Sequence, residues 1–170
     1  KVAIDGDTMV AGATGEDTGA NAAGSAYVFT RSGTTWSQQA KLQASDPHAS
    51  AFFGAEVAIS GNTLVAGAKW NSVGGSDAGA AYVFTRSGTT WSQQAKIQSS
   101  DKAASDSFGT GVSIDTDTMV VGAKAEADTR GAAYIFTRSG TSWSQQAKIV
   151  ASDGSAGYNF GNTVSISSDS

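Results

Sequence analysis

Twenty-one residues of this chain occur three times, and that recurrence constrains the fold more than any other feature. The segment Ala26–Asp46 returns as Ala81–Asp101 with only Ile97 for Leu42 and Ser99 for Ala44. It returns again as Ala133–Asp153, with Ile135 for Val28, Ser142 for Thr35, Ile149 for Leu42 and Val150 for Gln43. Trp36, Trp91 and Trp143 mark the register at separations of 55 and 52 residues. A fixed period of this size is the signature of a repeat architecture, in which one supersecondary unit is copied and function resides in the array or its loops.

Composition narrows the class. The chain has 170 residues, 39% of them hydrophobic, enough for a sizeable core. Eleven basic residues face fifteen acidic ones for a net charge of -4, with no basic stripe, which argues against nucleic acid as a partner. There is no cysteine, so disulfides and thiolate metal sites are excluded. No apolar run approaches the roughly 20 residues of a membrane-spanning helix.

The middle copy shows what one repeat builds. Val57–Ile59 and Thr63–Ala68 are short apolar runs joined by the turn chemistry of Ser60-Gly61-Asn62, a hairpin with small inner residues. A Gly/Ser/Asp-rich loop leads to Ala81–Arg86, where Tyr82 and Phe84 share one face and Ala81, Val83 and Thr85 the other. After Ser87-Gly88-Thr89, a fourth strand is expected to place Trp91, Gln93, Ala95 and Ile97 on one face and Ser92, Gln94, Lys96 and Gln98 on the other. No segment shows a capped apolar period of 3.6, so no helices are expected. The predicted fold is all-β: propeller-type blades, three four-stranded antiparallel repeats of 52–55 residues plus one extra strand. The repeats run over approximately residues 2–56, 57–111 and 112–163, and residues 164–170 are expected to be the first strand of a further repeat.

Phe53-Gly54 is followed thirteen positions on by Gly67-Ala68, and Phe108-Gly109 likewise by Gly122-Ala123. Phe160-Gly161 and Gly12-Ala13 are further halves of the same pattern. This resembles the FG-GAP repeat family, whose members include the blades of integrin α-subunit propellers and many bacterial surface proteins. The resemblance implies a secreted or cell-surface setting, bacterial by that kinship, and a structural, adhesive or binding role. The proline of the family signature is replaced by Thr14, Lys69 and Lys124. Calcium-binding members carry an acidic loop between the first two strands of a blade. Here the matching turns are Asp5-Gly6-Asp7, Ser60-Gly61-Asn62 and Asp115-Thr116-Asp117, leaving Asp5, Asp7, Asp115 and Asp117 as the calcium candidates. Calcium takes 6 to 8 oxygens, so these turns are read as structural and no cofactor is expected.

The remaining chemistry-bearing residues are few. His48, the only histidine, is read as an exposed loop residue, since no partners point to a triad or metal site. Trp36, Trp91 and Trp143, with the pairs Tyr27/Phe29, Tyr82/Phe84 and Tyr134/Phe136, recur at fixed strand positions and are read as packing between blades rather than a sugar platform. Trp70 differs: it stands in a variable loop where the other copies carry Gly15 and Ala125, which makes it the ligand-contact candidate. A sialidase-like, carbohydrate-active propeller is the alternative, because Gly33-Thr34-Thr35-Trp36 and Gly88-Thr89-Thr90-Trp91 match the end of an Asp-box. Arg31 and Arg86 occupy its aspartate position, and Glu16, Asp17, Asp77, Glu126 and Asp128 are scattered in dissimilar loops, so no catalytic residue is assigned and the chain is read as no enzyme. Three blades fall short of the 4 to 8 that close a ring. The partners expected are therefore other blades or copies of the chain, together with a protein or carbohydrate ligand.

Overall fold

The computed structural model describes residues 1–73 and 75–167. Twelve strands form three four-stranded antiparallel sheets, each in sequential order. The first holds β1 (Val2–Asp5), β2 (Thr8–Ala13), β3 (Ser25–Ser32) and β4 (Thr35–Leu42). The second holds β5 (Glu56–Ser60), β6 (Thr63–Ala68), β7 (Ala80–Ser87) and β8 (Thr90–Ile97). The third holds β9 (Phe108–Asp115), β10 (Thr118–Ala123), β11 (Ala132–Ser139) and β12 (Ser142–Ile149). The sheets are propeller-type blades. Because each is a simple meander, the two tight turns of every blade fall at one end and the long loops at the other.

Glycine makes the junctions. A Cβ on Gly12 would lie 1.8 Å from the Gly54 carbonyl oxygen, one on Gly67 2.1 Å from that of Gly109, and one on Gly122 1.8 Å from that of Gly161. The Gly-Ala pair of one blade therefore rests directly on the Phe-Gly backbone of the next, an approach only glycine allows. Hydrogen bonds lock it: the amides of Phe53, Phe108 and Phe160 donate to the carbonyls of Ala23, Ala78 and Arg130 at 2.8, 2.9 and 2.9 Å. Phe53 then packs edge-on to Tyr82 and Phe84 of its own blade, and Phe108 to Tyr134 and Phe136.

Two apolar cores result, one at each junction between the four-stranded blades. Val10, Ala26, Val28 and Leu42 meet Leu64, Ala66, Tyr82, Phe84 and Trp91 in the first. Val65, Ala81, Val83 and Ile97 meet Val112, Met119, Tyr134 and Phe136 in the second. Sandwiched between them, β6 is buried along its whole length, whereas β2, with nearly the same residues, is buried only at alternate positions at its start.

Three expectations need correction. The fourth strand does not keep one face: Trp91 packs in the first core while Ala95 and Ile97 pack in the second. The cause is a β-bulge, since Phe84 opposes Gln93 and Val83 opposes Ala95, leaving Gln94 unpaired, and one extra residue flips every side chain beyond it. The same bulge recurs at Gln39 and Gln146. Second, a four-residue helical turn, α1 (Glu126–Thr129), stands in the third blade's long loop; Ala127 and Asp128 take positive φ, so it is not a regular right-handed helix. Third, Val164–Ile166 runs beside β9, where the Ile166 amide donates to Ser113 Oγ at 3.1 Å, but forms no strand. A first strand needs a second to ladder with, and none pairs with it among the described residues; residues 168–170 lie outside them.

The repeated tryptophans are graded by position. Trp91 is 9% exposed, and its indole N–H donates to the bulged Gln39 of the preceding blade at 2.8 Å. Trp143 is half-buried and bonds Gln94 in the same way at 3.0 Å, while Trp36 is half-buried with Arg31 over its ring. Trp91→Ala is expected to destabilise the chain by about 3–5 kcal/mol, and Trp36→Ala by less than half of that, in urea melts. Equal losses would show that the blade junction is not what buries Trp91.

Candidate binding surface

At the long-loop end each junction carries a polar latch. Tyr82 Oη donates to Asp46 Oδ1 at 2.7 Å and Lys96 Nζ to Asp46 Oδ2 at 2.6 Å, so the residue that ends the first copy of the recurring segment grips the second blade. One junction on, Tyr134 and Lys148 hold Asp101 at 3.0 and 2.7 Å. Burial works against both carboxylates, but the ammonium and the phenol outweigh it and hold their pKa values below the ordinary aspartate value. Burial, helped by Asp101, pushes the Tyr134 hydroxyl up to about 12. The sequence held the signal for these latches, because Asp46, Asp101 and Asp153 end all three copies, but the carboxylate's partner lies in the next blade and was not foreseen.

A second residue type faces each lysine from the long loop. It is Glu16 in the first blade and Glu126 in the third, bonded to Lys41 and Lys148 at 2.8 and 2.7 Å. In the middle blade it is Asn71, fully buried, which donates from Nδ2 to Tyr82 Oη at 3.1 Å and accepts from Lys96 at 3.2 Å. Glu16 also accepts from Ser25 Oγ at 2.6 Å and from Thr18. Lys41 first, then Ser25 and Thr18, lower its pKa to about 2.

Trp70 lies at this same end and is 41% exposed. Phe52 meets its ring edge-on with centroids 4.9 Å apart, and Lys69 Nζ stands 5.1 Å from the ring centre. These three, with Thr14 of the first blade and Ala55, line an open cleft of about 200 Å³ across the first junction. Phe52 holds φ +52, as its counterparts Ser107 and Asn159 hold +56 and +54. The aromatic pair is therefore peculiar to this junction while the backbone beneath it is common to all three, and Phe52 is the cleft residue that sequence reasoning missed.

The calcium candidates occupy the short-turn end. Asp7 Oδ1 accepts from Arg31 Nε at 2.8 Å, and Asp117 Oδ1 from Arg138 Nε at 2.7 Å. Asn62 takes the same place in the middle blade, bonded to Arg86 Nε at 2.9 Å. Each of the latter two arginines also reaches back a blade, Arg86 to Thr8 Oγ1 at 2.9 Å and Arg138 to Thr63 Oγ1 at 2.8 Å. Asp5 Oδ2 accepts the Gly61 amide of the next blade at 2.6 Å, and Ser60 Oγ accepts the Thr116 amide at 3.1 Å. The Asp115 carbonyl accepts from Thr116 Oγ1. These contacts tie turn to turn. His48 is exposed in the connection between the first two blades, with Nδ1 3.0 Å from the Ala49 carbonyl oxygen.

The other acidic residues weighed for catalysis are not gathered. Asp17 accepts the Ala22 amide at 2.7 Å, Asp77 accepts from Ser72 Oγ at 3.3 Å, and Asp128 is exposed at α1.

The depressed Glu16 pKa carries a sign. An acid whose folded pKa lies below its unfolded one stabilises the fold above the unfolded value and loses that contribution as pH falls through the folded one. Thermal melts are expected to fall between pH about 4.5 and about 2, and Glu16→Gln is expected to flatten that limb. An unchanged limb in Glu16→Gln would remove Glu16 from the account.

Comparison with known proteins agrees with this geometry. No curated protein matches the chain. A family model described as FG-GAP repeat matches residues 1–29, 36–84, 91–136 and 143–170, so that Phe53-Gly54 with Gly67-Ala68, and Phe108-Gly109 with Gly122-Ala123, each lie within one matched segment. The chain belongs to the FG-GAP repeat family.

Proposed function

We propose that this repeat module is a non-catalytic adhesive or binding segment of a secreted or cell-surface protein, and that it meets its ligand, a protein or a carbohydrate, at the long-loop end. The observation that supports this most is the division of labour within the repeats. Junction residues are nearly the same in all copies, whereas the long loops differ, and the one exposed loop tryptophan sits in the cleft beside Phe52. Exposed aromatic surface in a loop on a rigid scaffold is a common form of recognition site. In this reading further blades or other copies pack on the open faces of the outer blades, where Ile4 is 60% and Ile149 42% exposed.

Binding to immobilised glycan and protein panels tests the reading. Trp70→Ala is expected to reduce retention at least tenfold while leaving the melting temperature near that of the parent, and retention equal to the parent's would remove the cleft from the function.

Calcium is proposed to be dispensable, because the arginines and amides already engage Asp5, Asp7 and Asp117. Melting with a chelator and then with excess calcium is expected to give superimposable curves. A saturable rise in the midpoint would overturn this, since ligand binding to the folded state produces that shift.

A further inference from the structure

The middle blade departs from its neighbours at one position in the lysine latch, and the departure is chemical rather than cosmetic. Where Lys41 and Lys148 face the carboxylates of Glu16 and Glu126, Lys96 faces a carboxamide. An ionised carboxylate is a poor acceptor of a nucleophile. A primary carboxamide can exchange its nitrogen for that of an amine if the carbonyl is polarised and ammonia is given a proton on leaving.

Both requirements are met at Asn71. Its Oδ1 accepts the Val73 amide at 3.1 Å as well as Lys96 Nζ at 3.2 Å, and since both neighbours on that side are donors, the oxygen rather than the nitrogen must face them. The Val73 N–H is thus aimed at the oxygen on which negative charge would develop. On the other side, Asn71 Nδ2 donates to Tyr82 Oη, and Tyr82 Oη donates to Asp46 Oδ1. Asp46 Oδ2 meets Lys96 Nζ at 2.6 Å, so one carboxylate joins the nucleophile to the leaving group through the phenol. Asn71 and Tyr82 are fully buried, which keeps competing water from the carbonyl.

We propose that Lys96 and Asn71 form an intramolecular isopeptide bond. Lys96 ammonium gives a proton to Asp46, and the free amine attacks Asn71 Cγ, forming the C–N bond. The tetrahedral centre collapses with cleavage of the Cγ–Nδ2 bond. Nδ2 takes one proton through Asp46 and Tyr82 and departs as ammonia, which is protonated to ammonium. Lysine loses two protons and the departing nitrogen gains two, so the exchange balances without oxidant, reductant or cofactor. Asp46 is the acid–base group, Tyr82 the relay, and the product is a covalent staple between β8 and the long loop that follows β6. The 25-residue separation it closes contains the whole of β7.

Intact mass of the folded chain after incubation at neutral pH tests the proposal, followed by peptide mapping. The parent is expected to weigh one ammonia less than its sequence and to yield a branched peptide joining Asn71 to Lys96, with Lys41 and Lys148 unmodified. Asn71→Glu installs the residue of the other two blades and so keeps a latch the fold already uses; it is expected to show its full sequence mass, as are Lys96→Arg and Asp46→Ala. A parent at full sequence mass overturns the proposal, as does an ammonia loss that maps elsewhere or persists in Lys96→Arg.

Discussion

The contact on which this architecture depends is backbone against backbone, where the Gly-Ala pair of one blade lies on the Phe-Gly pair of the next. Hydrogens alone separate the Gly12, Gly67 and Gly122 α-carbons from the facing carbonyls, and any side chain there would overlap them. The approach lets the Phe53 and Phe108 amides reach across the junction and seats both rings beneath their own blade's aromatics. The glycines thus set the spacing at which the two apolar cores close, and packing to the density of a protein interior leaves little tolerance in that spacing.

Polar groups then fix orientation at the two ends of each junction. At the long-loop end an aspartate from the preceding repeat accepts from tyrosine and lysine; at the short-turn end an arginine stacks on tryptophan and reaches back to a threonine. These bonds are half-exposed, and each contributes modestly beside the buried aromatic surface. Their value is geometric: two latches at opposite ends of a blade prevent it from pivoting on the glycine contact between them.

Blade count, strand order and the aromatic scaffold were legible in the sequence because they depend on local alternation and on repetition, both visible in one dimension. The bulge at Gln94 was not, since an extra residue in a strand shows only against its partner's register. Nor were the inter-blade roles of Asp46, Gln39 or Arg86, whose partners lie in a neighbouring copy although the residues themselves recur. Trp70 stood out as a departure from the repeat, but Phe52 did not, because Phe-Phe-Gly reads as an ordinary variant of the Phe-Gly opening until the structure turns the first ring outward against Trp70. Asn71 escaped notice for a similar reason: a glutamate-to-asparagine change in a loop has no meaning until Lys96 is seen facing it.

The bulge also sets how the blades share stability. Because it turns the strand over midway, β8 gives Trp91 to the core on one side and Ala95 and Ile97 to the core on the other. An outer strand that detached would open both cores together, so the free energy of losing one blade includes terms from each neighbour. A wall of separately folding sheets would fray from its margin. Strands stitched alternately to left and right instead make the array a single cooperative fabric, in which local damage is resisted by blades that are not themselves touched.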